Sequence, residues 1–284
     1  MLTCSKVNLS LAVTAKRPDG YHDLDSLFYP FRDPSDEIRL EDAPAASGVA
    51  IRCDAPGVPL EPEKNLCGKA VYAYCKAAGM DIPGLIIHLE KHIPVAAGMG
   101  GGSADCATVL KLLQERFRAL SESRLEDTAF SLGADVPFFL DGFPARVQGI
   151  GEQLTPVPLP GDVPLVLVKD TPGLNTGLVY RRSDESPYPP IDVPGLLESL
   201  RGRQIREAAC KADNALYPAA VSLSPRLDTI KRAVEASGAL YTQMTGSGAV
   251  IYGVYSSDAQ AGQAARKLRS MLPDAYIACA RTIS

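Results

Sequence analysis

The 284-residue chain has no run approaching the ~20 consecutive apolar residues that cross a bilayer, so a membrane-spanning helix is not expected. A secretory signal is not expected at the N-terminus either. Lys6 precedes an apolar stretch, but Asn8 and Ser10 interrupt it, and Lys16 and Arg17 stand where a cleavage site would lie. The alternation Val7, Leu9, Leu11, Val13 predicts a half-buried strand instead. The seven cysteines (4, 53, 67, 75, 106, 210 and 279) are odd in number and form no Cys-x-x-Cys pair, so neither a disulfide framework nor a zinc site is suggested and a reducing, cytoplasmic compartment is the expectation. Positive charge is not in excess: 29 Lys and Arg face 33 Asp and Glu, a net charge of −4. A partner such as nucleic acid is therefore not expected, and any anionic ligand must be held locally. Gly (24) and Pro (23) fall short of low-complexity levels, and 46% hydrophobic with 22% charged residues is a globular composition. The length suits one large or two medium domains.

Strand patterns follow at Leu24 to Phe31, Glu37 to Leu40, Val49 to Cys53 and Leu85 to Leu89, with a hairpin turn at Arg17-Pro18-Asp19-Gly20. Asn65 to Ala78 reads as a helix closing near Gly79, and Leu125 to Leu132 as a short one stopped by Gly133. Ala145 to Thr155 is extended. Prolines 156, 158, 160 and 164 crowd together, which places a boundary between a domain of residues 1–156 and a second of residues 157–284. The second half offers strands at Leu165 to Lys169, Tyr241 to Met244 and Val250 to Tyr255. Its helices are expected at Leu196 to Ala208, Pro225 to Ala236 and Ala259 to Met271, with an irregular passage up to Pro194. No regular βαβ rhythm emerges, which makes the expected fold class α+β.

The densest signal is Pro94-Val95-Ala96-Ala97-Gly98-Met99-Gly100-Gly101-Gly102-Ser103-Ala104, lying between a strand and a helical pattern of Leu110, Leu113, Phe117 and Leu120. Small residues at a helix start expose backbone N–H groups, and the helix dipole adds to their pull on an anion. The plainer alternative is a flexible connection with Ser103 as helix cap. The loop is not a G-x-x-x-x-G-K-[ST] phosphate loop, puts Ser where a dinucleotide fingerprint needs its third glycine, and is unaccompanied by His-Arg-Asp or Asp-Phe-Gly. Two further features flank it. Asp135 in Gly133-Ala134-Asp135-Val136-Pro137 is either a cap for the following turn or a reactive carboxylate, and Thr245-Gly246-Ser247-Gly248 is a glycine-rich turn between strands.

In that order, the N-terminal strand, the glycine loop and the C-terminal glycine turn resemble the three motifs of the GHMP kinase superfamily. Met99 replaces the usual Leu, Ala104 the second Ser, and Ser5 the Ala before Lys6. Within the superfamily, Lys6-Val7-Asn8-Leu9, Arg17-Pro18-Asp19-Gly20-Tyr21-His22, Gly133 to Pro137 and Gly149-Ile150-Gly151-Glu152 are similar to those of members acting on a cytidine diphosphate alcohol. The resemblance implies a two-domain α+β GHMP kinase fold, the first domain like domain 2 of ribosomal protein S5 and the second ferredoxin-like. It also implies ATP-dependent phosphorylation of the 2-hydroxyl of a methylerythritol unit in isoprenoid precursor synthesis. Asp135 would be the base with Lys6 beside it, Pro94 to Ala104 and Asn65 would serve the nucleotide, and Tyr21, His22 and Tyr180 would hold cytosine. Asn8, Phe28 and Thr176 are further substrate candidates. Mg²⁺ is expected with the donor, although no carboxylate cluster fixes its ligands. Two rivals stand beside this reading. One is another small-molecule GHMP kinase; the other is a catalytically silent nucleotide- or RNA-associated protein, opposed by the presence of Lys6 and Asp135 and by the net acidity.

Overall fold

The computed structural model describes residues 1–202 and 204–284. Its elements run β1 (Ser5–Lys16), β2 (His22–Phe31), β3 (Glu37–Asp42), β4 (Val49–Arg52), α1 (Leu66–Ala78), β5 (Leu85–Glu90), α2 (Gly101–Phe117), α3 (Glu122–Leu132), α4 (Phe138–Asp141), β6 (Ala145–Gly149), β7 (Gln153–Pro156) and β8 (Pro164–Lys169). Then follow α5 (Thr176–Ser183), α6 (Val193–Arg201), α7 (Ile205–Lys211), α8 (Tyr217–Leu223), α9 (Arg226–Ala236), β9 (Tyr241–Met244), β10 (Ile251–Val254), α10 (Asp258–Met271) and β11 (Tyr276–Arg281). The patterned strands and helices fall where periodicity puts them. The irregular passage before Pro194 contains α5, and the single helix expected over Leu196 to Ala208 is two, α6 closing at Gly202.

By Cα proximity the chain forms two compact units that interleave along the sequence: Met1–Ser5, Pro34–Val95 and Gly100–Gly142 make one, Lys6–Asp33, Ala96–Met99 and Phe143–Ser284 the other. In the first, β3, β5 and β4 form a sheet in that order, β4 parallel and β3 antiparallel to β5. Alternation along β5 buries Leu85, Ile87 and Leu89, while Val71 and Tyr74 of α1 and Leu110 and Leu113 of α2 supply apolar helix faces. Each such buried aliphatic or aromatic side chain contributes on the order of 1.5–3 kcal/mol. Asn65 starts α1 by accepting a hydrogen bond from Cys67 N, and Gly79 ends it in the left-handed conformation.

The second unit holds two four-stranded sheets, β1-β2-β6-β7 and β11-β8-β10-β9. The latter is antiparallel throughout, and helices connect β8 to β9 and β10 to β11, which is the split βαβ arrangement of a ferredoxin-like domain. Its core joins Val166, Val168, Ile230, Val234, Ile251 and Leu268 to Leu11 and Val13 of β1. β6 and β7, which lie before residue 157, also cluster here.

Candidate active site

In the second unit, three segments far apart in sequence are tied into one network. Lys6, 3% exposed on β1, donates through Nζ to Asn8 Oδ1 at 2.7 Å and lies 4.3 Å from the ring centre of Phe28. Phe28 is thus a buried floor under the ammonium. Asn8 Oδ1 also accepts from Gly246 N at 2.9 Å, while its Nδ2 donates to Ser26 Oγ at 2.9 Å. With two donors on that carbonyl already, the proton of Thr245 Oγ1 is best placed on Gly98 O, 3.0 Å away. The glycine loop closes the same knot: Lys6 N donates to Met99 O, and Val250 N to Ala97 O. Gly98 is at φ +75°, and a Cβ there would lie 2.2 Å from Thr245 O, so only glycine fits. Ala97 and Met99 are buried and anchor the loop, while Val95 and Ala96 are exposed. Thr176, at the start of α5, meets Ser247 Oγ through its hydroxyl at 2.9 Å, and Asn214 Nδ2 holds the third motif by donating to Met244 O and Gly246 O.

In the first unit, the loop ends in α2. Gly100 takes the cap position in the left-handed conformation with no side-chain cap, so Ser103 lies inside the helix and the capping alternative for it does not hold. The first-turn N–H groups of Gly101, Gly102 and Ser103 are presented without a competing side-chain acceptor, which is the chemistry a phosphate needs. Asn65 is 6% exposed; its Oδ1 accepts from Cys67 N and its Nδ2 donates to Pro59 O at 2.7 Å, so much of its polar capacity serves the start of α1. Asp135 lies half-buried in the turn between α3 and α4, where Val136 N bonds Gly133 O. The N-cap of α4 is Pro137, two residues past Asp135.

The second unit also carries an aromatic cluster around His22. Gly20 and Asp19 close the turn, with Tyr21 N donating to Asp19 Oδ1, and the Tyr21 ring is 61% exposed beside it. His22 Nε2 lies 2.7 Å from Asp184 Oδ1, Lys16 Nζ donates to Asp184 Oδ2 at 2.6 Å, and Tyr188 OH donates to the same carboxylate. Burial works against ionisation of Asp184, but the hydrogen bonds from Lys16, Tyr188 and His22 outweigh it and hold the carboxyl well below its ordinary value. Because an ionised carboxylate only accepts, Nε2 of His22 is the donor in that pair. Tyr180 stacks on the His22 ring with centroids 4.8 Å apart and planes 25° apart, so the Tyr180 face meets His22 in this structure.

Sequence reasoning missed Lys16, Asp184, Tyr188 and Asn214, along with a buried trio of Asp36, Lys91 and Asp105. The His22–Asp184 pair spans 162 positions, and no local spacing encodes such a contact. Asp105 was accessible in principle, as an acid one residue past the loop in an apolar helix face.

Two α+β units carrying the three motifs are those of a small-molecule kinase of the GHMP type, and comparison with known proteins agrees. The GHMP kinases N terminal domain matches residues 65–143 and the GHMP kinases C terminal domain residues 196–274. The chain is 36% identical to 4-diphosphocytidyl-2-C-methyl-D-erythritol kinase of Solidesulfovibrio magneticus, over 96% of this chain and 94% of that protein. It is 40% identical to the like-named enzyme of Dinoroseobacter shibae, over 96% and 91%. A crystal structure of 4-(cytidine 5'-diphospho)-2C-methyl-D-erythritol kinase superimposes with a TM-score of 0.83 at 36% identity, covering 100% of this chain and 99% of that one. The chain belongs to the GHMP kinase superfamily, in the family of the 4-diphosphocytidyl-2-C-methyl-D-erythritol kinases.

Proposed function

We propose that the chain transfers the γ-phosphoryl group of ATP to the 2-hydroxyl of 4-diphosphocytidyl-2-C-methyl-D-erythritol, a step of non-mevalonate isoprenoid precursor synthesis. The observation that carries the phosphoryl-transfer reading is the knot of Lys6, Asn8, Gly98, Thr245 and Gly246, which joins all three superfamily motifs through side-chain and backbone hydrogen bonds. In-line transfer requires an oriented hydroxyl relieved of its proton and preorganised positive charge around the phosphoryl oxygens. Asp135 takes the proton, Lys6 supplies charge to the acceptor, and the backbone from Gly98 to Ser103 holds the phosphates. Pro94 to Ala97 and Ala104 shape that loop. Asn65 serves the nucleotide with the amide proton left over from Pro59.

The ring of Tyr21 stacks on cytosine, with His22 and Tyr180 completing its surroundings. Asn8, Phe28 and Thr176 act on the acceptor mainly by holding Lys6 and the third motif in place. Mg²⁺ belongs to the same proposal, as the ion that accompanies the phosphates of ATP and offsets their charge. Among the described residues no group of three or more His, Cys, Asp or Glu could hold a metal ion, so none is assigned to it and no step here runs through it. Residues 1–156 and 157–284 are proposed as the nucleotide-binding and C-terminal halves. No helix among the described residues is long and apolar enough to cross a membrane, and we place the enzyme in the cytoplasm with a small molecule, neither nucleic acid nor membrane, as its partner.

The test is ADP production with mevalonate, homoserine, galactose and the diphosphocytidyl alcohol as acceptors. Turnover is expected with the last alone. Comparable rates on any other would overturn the substrate while sparing the kinase.

A further inference from the structure

Beneath the phosphate loop, in the first unit, lies a charged trio that the proposed chemistry does not use. Lys91 follows β5 directly, and its side chain is 6% exposed. Its ammonium donates to Asp36 Oδ2 and, at 2.7 Å, to Asp105 Oδ2; those carboxylates are 0% and 4% exposed. Asp36 turns its other oxygen to the chain entering the loop, accepting from His92 N at 2.6 Å and Ile93 N at 2.8 Å. Asp105 sits in the second turn of α2, on the chain leaving the loop. The ammonium is also close to the helix start: a Cβ built on Gly101 would lie 3.5 Å from Nζ and 3.0 Å from Ile93 Cγ2.

Burial works to neutralise Lys91, but the two carboxylates overcome it and raise its affinity for the proton. A buried ion trio is a poor source of net stability, because the desolvation of three charges consumes most of their attraction. An apolar packing would serve the fold at least as well. What the trio does that apolar groups would not is fix direction: it locks the chain before Pro94 and the first two turns of α2 to one point, at hydrogen-bond precision.

We infer that Lys91 is a positioning residue for the nucleotide, a strut that through Asp36 and Asp105 sets where the first-turn N–H groups of α2 meet the phosphates of ATP. This rests on the kinase reading above. Displacement of a positioned group by about 1 Å costs up to ~100-fold, so loss of the strut weakens the use of ATP and leaves the alcohol substrate largely untouched.

The decisive variant is K91M/D105N, assayed at pH 8. It removes the ammonium and one of the two carboxylates stranded without it, while Asp36 keeps its two backbone donors on Oδ1. The expected result is a melting temperature above that of K91M alone, KM for ATP and Kd for ADP raised about tenfold or more, and KM for the diphosphocytidyl alcohol within about twofold. K91M alone, which strands Asp105, should be much less stable than the double variant. The inference is overturned if KM for ATP recovers along with stability in the double variant, or if both KM values rise together, since either outcome describes a purely structural trio. D105N keeps volume and a weaker hydrogen bond to Lys91 and guards against misfolding of the double variant. It should raise KM for ATP about two- to fivefold, and no change there is equally damaging. Calorimetric ADP binding makes the same comparison without turnover. A chain that binds ADP but phosphorylates another alcohol would overturn the substrate and leave the strut intact.

Discussion

Replacing Asp135 by Asn keeps the volume and an oxygen acceptor but removes the group able to take a proton from the acceptor hydroxyl. For D135N, kcat should fall by roughly 10²- to 10⁴-fold while the melting temperature hardly moves, because Asn retains a capping oxygen. Near-normal turnover would return Asp135 to a structural role. Tyr21 is tested by removing its π-face: base–aromatic stacking worth about 1–3 kcal/mol corresponds to a rise of about five- to 150-fold in KM for the cytidine substrate of Y21L, with KM for ATP unchanged. Y21F should lose far less, and equal damage from both would assign the effect to the hydroxyl. At this scale the motif residues were legible, because Lys6, Tyr21 and Asp135 each sit in short runs whose composition is local. Their supports were not. Asp184 reaches His22 and Lys16 from an irregular, proline-bearing stretch, and its hydrogen bonds depend on tertiary placement alone.

Gly98 belongs to the scale of elements, since it is where the loop before α2 passes the turn between β9 and β10. The G98A substitution would force a side chain into a left-handed conformation costing about 1–3 kcal/mol before its Cβ met Thr245 O, so thermal denaturation should show a loss of at least that size. Unchanged stability would mean that the loop relaxes away from the turn. The strut under α2 makes a separate prediction about pH. Burial pushes Asp105 up to about 7, with Lys91 opposing and Asp36 adding to it. In the unfolded chain the same group loses its proton near about 3.9. Between those values the folded state binds the extra proton, so this group makes stability fall as pH rises from about 4 to about 7. The melting temperature of D105N relative to the unmodified chain should therefore climb across that window; a constant difference would show that Asp105 does not titrate there. Most elements were readable from period and punctuation, as β1 was from strict alternation. Among the exceptions, α4, α8 and β11 were not anticipated, α5 carries polar and basic residues among its apolar ones, and Gly202 interrupts an apolar pattern that otherwise runs on from α6 into α7.

At the scale of the whole molecule, strands mixed with helices in no regular rhythm made α+β the expectation, length allowed one large or two medium domains, and the family resemblance implied the ferredoxin-like second half. How the N-terminal hairpin would be shared out was hidden, because β1 is a half-buried strand by pattern and nothing in that pattern says which core receives it. Leu11 and Val13 enter the core of Val166 and Ile251, and Leu11 N bonds Asp213 O. For a gene split after codon 156, the consequence is that the second product lacks the part of its core that β1 supplies. The fragment of residues 157–284 made alone should bind hydrophobic dyes and lack a cooperative melt, and activity should return only when the two fragments are synthesised together, as in a complementation assay. A fragment that melts cooperatively by itself would show that β1 is dispensable to that core.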